Sequence, residues 1–238
     1  MRLLSYNIKS LLVDADAVRD VIIETAPDVV AIQEPTRYLT GGRRRMRRLA
    51  AATGMVCVIP GGSPFGAYTT ALLVSAQRAP DVVARRGRPL SWRWWRRRDL
   101  VAWPTRRGCA VVDLGGVVVI SVHLGLDARE RAEHCEEINA LIERYGPERC
   151  VVAGDLNETP DGPSWAALSR HLRDMAPGST VGTFPAPVGR RRIDGVLAGA
   201  AITGGPSEVL HTAAAQRGSD HLPLVCDLGI DLEAPAAG

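Results

Sequence analysis

Four apolar runs of this 238-residue chain finish on polar side chains: RLLSYNI on Asn7, VVAIQEP on Glu34, VVVISVHL on His123, and CVVAGDLN on Asp155 and Asn157. Two more carry such residues where they begin, RRRIDGVL at Asp194 and RGSDHLPLV at Asp220-His221. Singly, each has an ordinary reading: Asn7, Asp194 and the Asp155–Asn157 stretch in turns, Glu34 as a cap, His123 as a satisfied core histidine. Strands lying side by side, however, bring their ends to a common edge, where α/β architectures form binding sites. Carboxylates, amides and histidines crowded at one edge need their charge neutralised, and a hard divalent cation with oxygen ligands does so. Asp155 and Asn157, two apart, would lean over one spot if the strand continues through them, with Gly154 admitting a close backbone approach. A metal ion, an imidazolium and an amide N–H gathered at one edge stabilise negative charge that develops there in a reaction.

The positioning elements follow from periodicity. Strands are expected at 2–8, 28–35, in MVCVIP and GAYTTALLVS, and through DLVAWPT, GCAVVDL and VVVISVHL, the last two joined by the tight turn Gly115-Gly116. Later strands are CVVAGDLN, RIDGVLAG, EVLHT and LPLVCDLGI. Asp14 or Asp16 caps a helix running to Thr25 before Pro27, and an arginine-rich helix covers 43–53. The clearest helix is 128–146, with Ala132, Cys135, Ile138, Leu141, Ile142 and Tyr145 as its apolar stripe and Gly146-Pro147 as its stop. A short helix falls within 163–172. Without repeats or long linkers, about ten strands and a few helices predict one domain over 1–230, two packed sheets flanked by helices, with 231–238 as a frayed tail.

The hydrophobic fraction of 46% and charged fraction of 23% are those of a soluble globular protein, and no apolar run approaches a membrane helix. The N-terminus turns polar too soon for an export signal. Five cysteines without C-x-x-C spacing, four of them in strand-like runs, predict a reduced cytoplasmic protein. A net charge of +3 says little about partners.

The ordered series S-Y-N, I-Q-E, S-V-H-L, G-D-L-N, R-I-D and S-D-H-L-P resembles the endonuclease/exonuclease/phosphatase superfamily, from Leu4 to about Asp227. The resemblance implies a four-layer α/β sandwich of two mostly antiparallel sheets and hydrolysis of a phosphate ester dependent on Mg²⁺ or Mn²⁺. It implies Glu34 as principal metal ligand, with Asn7 and Asp220 close by, and Asp155 as the group that orients or deprotonates water. It further implies Asn157 as a donor to phosphoryl oxygens, His221 as the cationic partner of the phosphate, and Asp194 as that histidine's hydrogen-bonded carboxylate. His123 stands where the DNase branch has a histidine. A buried Asp194 would orient His221 and raise its pKa.

The chain departs from abasic endonucleases in two places. Lys9 stands two after Asn7, where those enzymes often have an acid, and Arg190, Arg191 and Arg192 replace aromatics before R-I-D, leaving Phe184. The segment 85–107 carries four of the five tryptophans amid arginines. If exposed, it suits single-stranded nucleic acid, and less readily an anionic membrane surface. Arg192, Trp94 and Trp95 are thus the expected substrate-binding residues and a nucleic acid the expected substrate, with a small-molecule, inositide or lipid phosphate as alternative. No obligate protein partner is evident. A catalytically inactive phosphate-binding module is the rival of another class, and the filled set of acids, amides and histidines argues against it.

Overall fold

The computed structural model describes residues 1–36, 42–62, 67–92 and 106–231. In chain order the described elements begin with β1 (Arg2–Asn7), α1 (Ala15–Thr25), β2 (Val29–Gln33), α2 (Gly42–Ala52), β3 (Met55–Ile59) and β4 (Thr70–Ser75). Next come β5 (Ala84–Pro89), β6 (Gly108–Asp113), β7 (Val118–His123), α3 (Ala128–Tyr145), β8 (Cys150–Asp155) and α4 (Pro163–Leu168). The chain continues through β9 (Arg173–Asp174), β10 (Asp194–Ala198), β11 (Ile202–Gly204), β12 (Glu208–Val209), α5 (Ala213–Gly218) and β13 (Leu224–Ile230).

One sheet runs β11-β13-β1-β2-β4-β3, with β12 also on β13, and the other runs β5-β6-β7-β8-β10-β9. Each holds one parallel pair, β1 with β2 and β7 with β8. The other pairings are antiparallel. Alternating side chains give each sheet two apolar faces. Leu3, Val29, Ala31, Leu72 and Val74 meet Ala110, Val112, Val119, Val151 and Val196 between the sheets. The outer face of the first sheet packs Tyr6, Ile32 and Leu73 against Val18, Val21, Ile22, Met46, Leu49 and Ala215 of α1, α2 and α5. The outer face of the second packs Ile120, Val122 and Val152 against Cys135, Ile138, Ile142 and Trp165 of α3 and α4. Helix, sheet, sheet, helix: the four-layer sandwich is present, and both sheets are mixed.

Local chemistry sets the helix ends. Asp14 caps α1 by accepting from the Ala17 N–H at 2.9 Å, and Asp127 caps α3 by accepting from Arg129 and Glu130. The expected strands and helices all appear except DLVAWPT, which lies outside the described residues. Strands β5, β9 and β11 and helix α5 add to them. The five cysteines are free. Among the described residues no helix is long and apolar enough to cross a membrane.

Candidate active site

Register gathers the polar residues. On the second sheet, Asp155 is the Cα partner of His123 on one side and of Asp194 on the other, so three side chains from β7, β8 and β10 stand in a row. On the first sheet Asn7 pairs with Gln33, and Glu34 follows at the end of β2. The sheets meet just below, where the Gln33 amide donates to Ser121 Oγ at 3.3 Å and Ser121 Oγ donates to the Ile32 carbonyl at 3.3 Å. Gly154 is forced here: its φ is +152°, and a Cβ would collide with the Val122 carbonyl oxygen. Glu34 has φ +52°, unusual for its type, and is held there by its N–H to Thr69 O at 2.9 Å and by Ser10 N–H donating to its carbonyl at 2.8 Å.

Asn7 joins the two sheets. Its Nδ2 donates to Asp155 Oδ2 at 3.1 Å and approaches Glu34 Oε1 at 3.5 Å. Asp155 is buried, and its other oxygen accepts the Asn157 N–H at 2.9 Å. Burial, then the charge of Asp194, pushes the Asp155 pKa up to about 7. His221 Nδ1 lies 2.9 Å from Asp194 Oδ2, and its Nε2 is 3.8 Å from Asp155 Oδ2. Burial disfavours the imidazolium, but the charge and hydrogen bond of Asp194, with Asp155 and Asp220 behind, outweigh it and lift the pKa to about 9. His221 is therefore a cation at neutral pH, its ring 4.8 Å from that of Phe184.

His123 has the opposite character. Burial first, then Arg107 and His221, holds its pKa well below the ordinary value, so it is neutral. Arg107 Nη1 is 3.0 Å from His123 Nδ1. A guanidinium can only donate, so Nδ1 accepts and the ring proton sits on Nε2, 3.4 Å from Asp155 Oδ2. Arg107, 8% exposed, stands at this edge although no sequence motif pointed to it. Its signal is in the β6–β7 register: with Ala110 opposite Ser121, two pairs outward puts Gly108 beside His123.

Several expectations change. Asn157 does not share the strand's pleat, since β8 ends at Asp155 and Asn157 sits at φ +52° in the following turn. Its Nδ2 donates to Leu124 O at 2.9 Å. Asp220 is near the edge but pairs with Lys9, Nζ to Oδ2 2.6 Å. Arg192, expected to face substrate, is 6% exposed. Both its terminal nitrogens hold Asp174, at 2.8 and 2.6 Å, and its guanidinium lies over the Trp165 ring at 4.8 Å. A cation so fully paired and desolvated is a structural one. Trp94 and Trp95 lie outside the described residues. Trp92 is 39% exposed, and β5 places Arg85 and Arg86 on an exposed sheet edge.

Asp155, Asp194 and His221 also bring three potential ligand atoms within 4.8 Å of one another. The hydrogen bond between His221 and Asp194 already occupies that group, whereas Glu34 has no cation within ion-pair distance among the described residues. A divalent ion fits better beside Glu34, where the charge of Asp155 would also be offset; Asn7, whose Nδ2 faces both acids while its Oδ1 accepts the Lys9 N–H, would turn its amide to offer the ion an oxygen.

Two mixed sheets between helices, with carboxylates, an amide and an imidazolium on their common edge, define a phosphoesterase scaffold. The chain belongs to the endonuclease/exonuclease/phosphatase family, whose model matches residues 4–221. Members hydrolyse phosphoric esters with a divalent metal. Similar solved structures include a family protein from Bacteroides thetaiotaomicron, at 17% identity and TM-score 0.75 over 98% of each chain. A mannosyl-6-phosphatase from the same organism has 17% identity and TM-score 0.73, over 97% of this chain and 100% of that one. TDP2 from D. rerio, in complex with a single-strand DNA product, has 17% identity and TM-score 0.65 over 96% and 98%. No curated protein matches by sequence.

Proposed function

We propose that the chain is a Mg²⁺- or Mn²⁺-dependent hydrolase of phosphodiesters, most fittingly of nucleic acid. The observation that carries the hydrolase reading is the contact of two groups of opposed character: His221 Nε2 lies 3.8 Å from Asp155 Oδ2 and its Nδ1 2.9 Å from Asp194 Oδ2, surroundings that push Asp155 up to about 7 and His221 up to about 9. Between those values one is a base and the other a cation, as a water-activating and a phosphate-binding group should be. Asp155 accepts the proton of the attacking water through the oxygen that His123 and Asn7 orient. His221, steered by Asp194, holds a non-bridging oxygen. The ion at Glu34 would polarise the phosphoryl group and stabilise its developing charge. Asn157 stands beside Asp155, its amide available to the phosphate if it turns from the Leu124 carbonyl.

The polyanion reading rests on α2. Its Arg45 donates to Ser10 O at 3.1 Å, which fixes the helix beside the turn that follows Asn7, and Arg43, Arg44, Arg47 and Arg48 are exposed on it. Arg190 and Arg191 are exposed near Phe184 on the other side. Guanidiniums on both flanks suit a ligand with repeated phosphates. The burial of Arg192 favours a second reading, a small or lipid phosphate, because it removes one expected backbone contact. Plasmid DNA, single-stranded DNA, RNA, sphingomyelin, inositol phosphates and p-nitrophenyl phosphate, each with Mg²⁺, Mn²⁺ or EDTA, separate the two. Metal-dependent cleavage of nucleic acid is expected. Cleavage of phosphomonoesters or lipid alone would promote the second reading, and no turnover of any substrate would refute hydrolysis.

A further inference from the structure

The turn after β1 puts a lysine against Asp220, the acid expected close to the metal ion. Lys9, Ser10 and Leu11 all have positive φ (+42°, +58° and +57°), a left-handed turn. Its first N–H, that of Lys9, donates to Asn7 Oδ1 at 3.1 Å. This folds the Lys9 side chain back across the edge until Nζ reaches Asp220 Oδ2 at 2.6 Å. The other Asp220 oxygen accepts from Ser219 Oγ at 3.4 Å. Asp220 therefore already has a full positive charge at contact distance, while Glu34, on the far side of Asn7, has none among the described residues.

We propose that the Lys9 ammonium acts as a built-in substitute for a second divalent ion, withdrawing Asp220 from the metal set and making this a one-metal site at Glu34. A divalent ion joining Asp220 would have to approach an ammonium within a few ångströms, and the repulsion opposes it, to an extent that solvent at these half-exposed side chains moderates. A tethered ammonium differs from a metal ion in chemistry. It carries one charge, cannot lower the pKa of a bound water, and is not lost to a chelator. It can turn from Asp220 to a phosphate oxygen, because its side chain is 45% exposed. The substrate's charge is thus met by one exchangeable ion, by His221 and by Lys9. This inference rests on the preceding placement of the ion at Glu34.

The test is Mn²⁺ binding to the whole protein, followed by electron paramagnetic resonance of the free ion and by calorimetry. The folded state of each variant is checked by thermal melting. Wild type should bind one Mn²⁺ per chain, Glu34→Gln should weaken that site at least tenfold, and Asp220→Asn should change it less than about threefold, a shift well below one factor of ten or ~1.4 kcal/mol. Lys9→Asp, at a left-handed position that aspartate tolerates, should create a second site that Lys9→Asp with Asp220→Asn loses again. Two ions in wild type, or a tenfold loss on Asp220→Asn, would overturn the proposal, and Asp220→Asn decides alone if Lys9→Asp does not fold. No Mn²⁺ in wild type, or an ion indifferent to Glu34→Gln, would instead refute the metal placement beneath it.

Discussion

Replacing Asp194 by asparagine should shift the whole pH profile of activity towards acid, and the distances say by how much. Asp194 lies 2.9 Å from His221 Nδ1 and is the main reason that a buried imidazole titrates at about 9 instead of below 6.5. Without its charge, burial dominates, and His221 should titrate at or below 6.5, a loss of ~2.5 units or ~3 kcal/mol in favour of the imidazolium. At pH 8 the charged fraction then falls from ~0.9 to ~0.03, a thirtyfold loss of active enzyme, whereas at pH 6 most of it survives. The acid limb moves the same way, because Asp194 is also one of the charges that raise Asp155. Linkage has a definite sign. His221's folded pKa is raised, so its contribution to stability is complete below 6.5 and disappears as pH rises through about 9. Stability lost on Asp194→Asn should therefore be largest below pH 6.5, shrink through neutral pH and vanish above ~10. The assay is kcat/KM from pH 5 to 10 at saturating metal, with thermal melts at each pH. A folded variant whose alkaline limb stays near that of wild type would refute the role given to the pair.

Glu34→Gln should raise the metal concentration needed for half-maximal activity by tenfold or more, with kcat partly restored at excess metal, since a neutral amide keeps the shape and removes the charge. Unchanged metal dependence would move the ion elsewhere. Arg107→Met should free His123 Nδ1, allow the other tautomer and lower kcat by roughly tenfold with little change in KM, as loss of an orienting group does. Nitrogen NMR of the His123 ring, protonated on Nε2 in wild type, reads the tautomer directly and should show a mixture. Arg192→Met should act on stability alone, costing about 3 kcal/mol and of order 10 °C in Tm for a chain of this size. An intact fold with a large rise in KM would return Arg192 to the substrate.

Most of this architecture could be read from the sequence because the interior strands are buried on both faces and announce themselves as apolar runs. β8 and β10 are fully buried, and β7 is too. Their polar ends stand out against that background, which is why Asp155, Asp194 and His123 could be expected on one edge. Strand β5 is the counter-example: ARRGRP carries no apolar alternation, and it is a strand because β6 offers it a hydrogen-bonding edge. Ion pairing was similarly hidden. Whether an arginine meets substrate or an acid depends on residues far along the chain. Asp174 claims Arg192 across 18 residues, and Asp220 claims Lys9 across 211. In a sequence so rich in arginine, type alone does not distinguish Arg107, desolvated against a histidine, from the exposed arginines of α2. Burial does: inside the fold a charge must find a partner, and the partner found, a neutral imidazole that orients Asp155, ties Arg107 to the chemistry at the edge.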